Sequence, residues 1–189
     1  SAVSNSSDPI EKRRLAFKLH TLGLGDTDDK AELKRYVEGW NVTNRSACFL
    51  SHCKKEAAAE ARLMKLELVR AMRCEDTAVF LDSDNLLHLR ELKSHVVNSD
   101  CVVLLLTETV LSRPWCLAEL ATAAEHQVPV IVVRVINASV SDPSSIKDNL
   151  NDLPQYLNSV NPSGIKTLAE EGFDVETIGS VIGTHLEST

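Results

Sequence analysis

The stretch CVVLLL, at residues 101–106, is continuously apolar, as strands covered on both faces of a sheet are. Three further apolar runs lie at 47–50, 78–81 and 128–136, so the starts of the four runs are 31, 23 and 27 residues apart. Each interval has room for one strand and one returning helix, which is the spacing of a parallel sheet. The pattern predicts an α/β domain with a flavodoxin-like parallel sheet flanked by helices.

Weaker patterns outside the four runs predict the remaining elements. The helix after the first run carries an apolar stripe, which predicts its buried face: Ala59, Leu63, Leu66 and Val69. After the fourth run we expect a short helix, a fifth strand and a last helix, at 146–156, 164–168 and 174–185. Two helices, at 9–22 and 28–38, are predicted before the sheet. We therefore divide the chain into an N-terminal helical extension, 1–45, and a sheet domain of about five strands, 46–189.

The charge of the 189-residue chain excludes several classes of partner. Its net charge is -7, and residues 47–189 hold 12 basic and 20 acidic side chains. An acidic body argues against non-specific binding to nucleic acid or to anionic membranes. No apolar run approaches the ~20 residues that a membrane helix needs, and the polar start has no secretory leader pattern. We expect a cytoplasmic protein with no nucleic-acid or membrane partner.

The cysteines and histidines predict no metal site. The five cysteines are odd in number and contain no CxxC pair, which argues against a zinc site and against a disulfide framework. Four of the five histidines in residues 46–189 are also too far apart in the sequence to predict a metal site: His52, His88, His95 and His126. We expect free thiols and no bound metal.

Side chains that follow parallel strands lie at the edge of the sheet where ligands bind. Ser51, His52 and Lys54 follow the first run, and Asp84 follows the second. We therefore expect the functional side chains at this edge of the sheet.

The segment after the third run is the most distinctive at this edge. Pro114 suits the first turn of a helix, which makes Trp115 and Glu119 an i, i+4 pair on one helix face. An aromatic plane beside a carboxylate is suited to stacking a planar heterocycle and stabilising a sugar carbon that becomes cationic. The alternative is that Trp115 covers the end of the sheet and Glu119 is a solvated helix residue.

Three stretches resemble the Toll/interleukin-1 receptor (TIR) domain family. FLSH at 49–52 is similar to the first box of TIR domains, VFLD at 79–82 to their second strand, and WCLAEL at 115–120 to a helix that many of them carry. The order and the spacing of the three stretches agree with the family. The resemblance covers roughly residues 46–187 and implies a TIR-like fold.

The resemblance implies one of two functions. TIR domains are either enzymes that cleave the nicotinamide–ribose bond of NAD+ or non-enzymatic signalling modules, and both kinds associate with other TIR domains. In the enzymes the essential glutamate matches Glu119, and the aromatic residue one turn earlier matches Trp115. The nucleotide pocket of the family matches five further residues: Ser51, His52, Lys54, Asp84 and Leu86. NAD+ or a related nucleotide would then be a substrate, and no separate cofactor is implied.

Overall fold

The computed structural model describes residues 45–72, 74, 76–81, 89–135 and 143–188. Strands and helices alternate in the first half: β1 Cys48–Ser51, α1 Lys54–Met72, β2 Val79–Leu81, α2 Leu89–Val97, β3 Val102–Leu106, α3 Pro114–Glu125 and β4 Val130–Arg134. Four helices follow: α4 Pro143–Asn151, α5 Leu153–Val160, α6 Pro162–Glu170 and α7 Val175–Ser188. The helices predicted at 9–22 and 28–38, and thus all of the predicted extension except Arg45, lie outside the described residues.

The described strands form one parallel sheet in the order β2-β1-β3-β4. Leu50 pairs with Leu81 on one side and with Val103 on the other, and Val103 pairs in turn with Ile131. The chain begins in the central strand β1, adds β2 on one side, and then adds β3 and β4 on the other side, with helical crossovers. This is the flavodoxin-like arrangement. All five residues of β3 are buried, as their continuous apolar character predicts. The predicted flavodoxin-like α/β fold with a parallel sheet is confirmed.

The core has two layers, one on each face of the sheet. On one face, Phe49 and Leu104 pack with Leu117 and Leu120 of α3 and with Ile182 of α7. Because helices cover this layer from several directions, α3 is buried from Cys116 to Ala124. The second layer joins the opposite sheet face to α1. Within the described residues, no helix is long and apolar enough to cross a membrane.

The face of α1 that contacts the sheet differs from the predicted one. Ala57 and Ala61 are fully buried, whereas Leu63 is 60% and Leu66 is 62% exposed, so the predicted stripe is wrong at the two leucines. Val69, the last residue of the stripe, does pack against the sheet layer and is partly buried. Met64 packs against the same layer as the two alanines. The helix carries apolar residues on two faces, and the alanine face allows a closer approach to the sheet because its side chains are small.

Two predicted elements of the second half are also corrected. The fifth strand expected at 164–168 is part of helix α6. Pro162 occupies the first turn of that helix, and Ile165 and Leu168 have the spacing of one helix face, facts that outweigh the short apolar run. The single helix expected at 146–156 is two helices, because Asp152 caps α5 by accepting a hydrogen bond from the Gln155 N–H. The last helix is confirmed as α7.

Candidate active site at the carboxyl edge of the sheet

The ends of β1 and β3 and the start of α3 meet at the carboxyl edge of the sheet. Ser51 is the last residue of β1, and it is 1% exposed. The Cys116 thiol, in the first turn of α3, donates a hydrogen bond to the His52 carbonyl at 3.4 Å. The Cys53 sulfur lies 3.7 Å from the hydroxyl oxygen of Thr109, which follows β3. Direct contacts thus join the loop after β1 to the loop after β3 and to α3.

Helix α3 places Trp115 and Glu119 one turn apart beside this edge. Arg113 is the N-cap with extended backbone angles and Pro114 is the first helical residue, so the helix begins at the loop after β3. Glu119 is only 3% exposed, whereas Trp115 is 42% exposed. The interpretation of Glu119 as a solvated helix residue is therefore wrong. The pair consists of a buried carboxylate and an accessible aromatic ring.

Several charged and polar groups lie near Cys116 and influence the pKa of its thiol. Burial is the largest influence and raises the pKa of the Cys116 thiol well above its usual value, and the negative charge of Glu119 raises it further. The nearby Ser51 hydroxyl acts in the opposite direction, as does the positive charge of Arg113 more weakly. Cys116 is therefore a neutral thiol at physiological pH rather than a nucleophile. Among these groups, Glu119 is the one suited to stabilising a cation.

Glu56 is a residue of this edge that the sequence analysis did not identify. It lies in the first turn of α1, and its carboxylate accepts hydrogen bonds from the N–H of Thr109 at 3.1 Å and from its hydroxyl at 2.7 Å. Burial raises the pKa of Glu56, but the nearby Thr107 hydroxyl, the hydrogen bonds from Thr109 and the nearby Cys53 thiol together lower it below its usual value. The signal in the sequence is an acidic residue four positions after the FLSH stretch, in the first turn of the predicted helix, where a helix N-terminus favours negative charge.

A second set of hydrogen bonds connects the same loop to α6. The Ser112 hydroxyl donates to the Thr109 carbonyl at 2.7 Å, and the Asn161 amide donates to the Ser112 carbonyl at 2.8 Å. Asn161 is the N-cap of α6, and a Cβ added to the buried Gly164 would lie 3.0 Å from its amide nitrogen. The loop that precedes α3 is thus held from two sides.

The described site residues belong to the end of β1, the start of α1 and the first turns of α3. Ser51, at the end of β1, and His52, directly after it, are buried at 1% and 8% exposure, and His52 contacts α3 through its carbonyl. Lys54 is exposed at the start of α1. Asp84 and Leu86 lie outside the described residues. Within the described part of the chain, no group of three His, Cys, Asp or Glu side chains is placed to hold a metal ion.

Comparisons with known proteins support the fold. The TIR domains of the activated Roq1 resistosome, which directly recognizes the pathogen effector XopQ, are similar to this chain with a TM-score of 0.52 and 17% sequence identity. The similarity covers 75% of this chain and 84% of the Roq1 chain. No protein-family model and no curated protein sequence matches the chain. The fold of this chain is therefore TIR-like.

Proposed function

We propose that this TIR-fold chain is an NAD+ glycohydrolase that cleaves the nicotinamide–ribose bond, with Glu119 as its catalytic residue. The observation that carries the proposal is the Glu119 carboxylate, which is 3% exposed and lies one helical turn from the accessible ring of Trp115. The similarity to the Roq1 TIR domains supports the fold, and the resemblance of WCLAEL at 115–120 to a TIR-domain helix is what implies NAD+ cleavage.

The chemistry requires little more than one well-placed carboxylate. In NAD+ the nicotinamide ring is cationic while bound to ribose and leaves as a neutral molecule, so no strong acid has to protonate it. As the bond breaks, positive charge develops on the ribose carbon and its ring oxygen. A buried carboxylate stabilises that charge more strongly than an exposed one, because little water screens it. Water then attacks the ribose carbon, and ADP-ribose and a proton are the other products.

The remaining predicted residues take binding roles in this proposal. Trp115 stacks on the nicotinamide end, and Ser51, His52 and Lys54 bind the ribose and phosphate part. Lys54 is suited to the phosphates because its ammonium group is exposed at the first residue of α1. Asp84 and Leu86 are proposed to contact the nucleotide from the segment after β2. NAD+ is a substrate here and no separate cofactor is proposed.

A second candidate function is that of a non-enzymatic signalling module that acts by homotypic association. The observation that favours it is the pair of leucines on the outer face of α1, since Leu63 is 60% and Leu66 is 62% exposed. Neighbouring exposed leucines on one helix face are typical of a protein contact surface. The Roq1 TIR domains, to which the fold is similar, belong to a resistosome. We propose homotypic association under both functions, in a cytoplasmic protein.

The deciding experiment compares wild type with Glu119→Gln and Glu125→Gln at high protein concentration, following nicotinamide release from NAD+ by chromatography. Glu125 is the matched control, since it is exposed at the end of the same helix. We expect Glu119→Gln to lower turnover at least ~100-fold, as the loss of ~3 kcal/mol of transition-state stabilisation requires, and Glu125→Gln to match wild type.

Two results would contradict the enzyme proposal. Release that survives Glu119→Gln removes the catalytic role of Glu119. A wild type that self-associates in light scattering but releases no nicotinamide favours the signalling module instead. The same chromatogram separates ADP-ribose from a cyclic product, and so reports whether water is the nucleophile.

A further inference from the structure

The carboxylate of Glu56 uses both of its oxygens on one residue of a distant loop. One oxygen accepts the Thr109 hydroxyl at 2.7 Å and the other accepts the Thr109 backbone N–H at 3.1 Å, across 53 residues of sequence. We call this pair of contacts the Glu56–Thr109 bridge. A charged acceptor with two donors in fixed positions makes a stronger and more directional contact than a single neutral hydrogen bond. The bridge therefore fixes the position of Thr109 relative to the start of α1.

From Thr109 the restraint continues to the first residues of α3. The Thr109 carbonyl accepts the Ser112 N–H at 2.9 Å and the Ser112 hydroxyl at 2.7 Å. Arg113 follows directly, and its carbonyl accepts the Leu117 N–H at 3.0 Å, which is the first hydrogen bond of the helix. Backbone carbonyls accept all three of these hydrogen bonds, so the loop from Thr109 to Arg113 has little freedom to shift while the bridge is intact.

We propose that Glu56 is a positioning residue for NAD+ cleavage, in that the Glu56–Thr109 bridge sets where α3 begins and thereby where Trp115 and Glu119 lie at the carboxyl edge. This inference rests on the proposed function. Glu56 itself is not proposed to touch the substrate. It holds the loop before α3 against the first turn of α1, which follows Ser51 and His52 in the chain.

The starting point of α3 matters for the position of Glu119. Glu119 lies in the same continuous helix, five residues after Pro114, and an α-helix is a regular hydrogen-bonded unit, so a displacement of the helix start also displaces Glu119. A catalytic group displaced by about 1 Å loses on the order of 10²-fold in rate, because transition-state stabilisation depends steeply on geometry. Substrate binding is spread over several contacts and is less sensitive to the position of one helix. Loss of the bridge should therefore lower kcat more than it changes KM.

The experiment measures kcat and KM for NAD+ cleavage by Glu56→Ala, Thr109→Val and two matched controls. Glu60→Ala removes an exposed carboxylate one turn further along α1, and Thr109→Ser keeps both donors of the bridge. We expect Glu56→Ala to lower kcat about 10- to 100-fold with KM within about 3-fold of wild type. Thr109→Val should lower kcat less, because the backbone N–H still donates, and both controls should match wild type.

If Glu56→Ala does not fold, the test is made with Thr109→Val, which preserves the volume of the side chain. Equal kcat in Thr109→Val and Thr109→Ser, or a loss confined to KM, overturns the proposal. Amide hydrogen exchange separates this failure from that of the proposed function, since it needs no activity. If wild type releases no nicotinamide, about 10-fold faster exchange at Thr109 and in the first turn of α3 in the bridge variants supports the positioning of the helix. Unchanged exchange there overturns it.

Discussion

Gly179 of α7 allows a direct test of how the second half of the chain packs. A Cβ added to Gly179 would overlap the backbone carbonyl oxygen of Leu150 in α4 and lie 3.1 Å from the Leu153 Cβ in α5. Because the overlapped atom belongs to the backbone, the two helices have to separate to relieve the clash. One turn later in the same helix, a Cβ on Gly183 meets nothing within 4 Å. Gly183→Ala is therefore the matched control for Gly179→Ala.

The expected difference in stability between Gly179→Ala and Gly183→Ala follows from two opposing effects. Replacing a helical glycine by alanine gains about 1 kcal/mol of helix propensity at either position. Overpacking at Gly179 costs about 1–3 kcal/mol, so the difference between the two variants reports the packing strain alone. We expect Gly183→Ala to be more stable than Gly179→Ala by about 1–3 kcal/mol, or by about 2–12 °C in Tm for a domain of this size.

Urea denaturation followed by circular dichroism measures the free energy of unfolding of both variants. We expect the same m-value for both variants, so that the midpoint of the urea transition alone reports stability. Equal stability of the two variants, or a more stable Gly179→Ala, would show that α7 does not approach α4 as described. Nicotinamide release per folded molecule should not change, because neither glycine lies at the carboxyl edge of the sheet.

Two further predictions concern titratable groups. Because hydrogen bonds hold the pKa of Glu56 below its usual 4.5, the bridge adds stability above that value and loses it as the pH falls through the lower folded-state pKa. The stability gap between wild type and Glu56→Gln should therefore be constant well above pH 4.5 and narrow as the pH falls through the lower folded-state pKa, by urea denaturation at each pH. Burial raises the pKa of Cys48 to about 12, whereas the less buried Cys74 has a smaller rise. Mass spectrometry after brief alkylation of the native protein should find Cys74 modified before Cys48, and the reverse order would contradict the described burial.

The sheet could be predicted from the sequence because its strands are apolar on both faces. A run such as 101–106 has few ways to be satisfied other than a central parallel strand, and β3 is buried throughout. The buried face of α1 could not be predicted in the same way. Apolar residues lie on two faces of this helix, and the choice between Ala61 and Leu63 depends on how closely the helix approaches the sheet. That distance is a property of the packed molecule.

The candidate site, too, could be predicted from the sequence only in part. Trp115 and Glu119 could be paired from the sequence because their i, i+4 spacing is local to one helix. The bridge from Glu56 to Thr109 spans 53 residues, and nothing in the local pattern of either segment indicates the other. Long-range contacts of this kind arise when parallel strands bring their following loops to one edge. Sequence analysis therefore indicates where the edge lies and does not indicate which side chains hold its loops together.

The burial of Glu119 connects the stability of the molecule to its proposed chemistry. Moving a carboxylate out of water costs free energy, and most helix glutamates avoid this cost by facing solvent. Glu119 is 3% exposed, in a helix segment buried from Cys116 to Ala124. The same removal of water strengthens the attraction between this carboxylate and a cation that forms beside it. Glu119→Gln relieves the cost of the buried charge, so a variant that is inactive and at least as stable as wild type is the combination that a catalytic carboxylate predicts, whereas a carboxylate with only a structural role predicts a loss of stability.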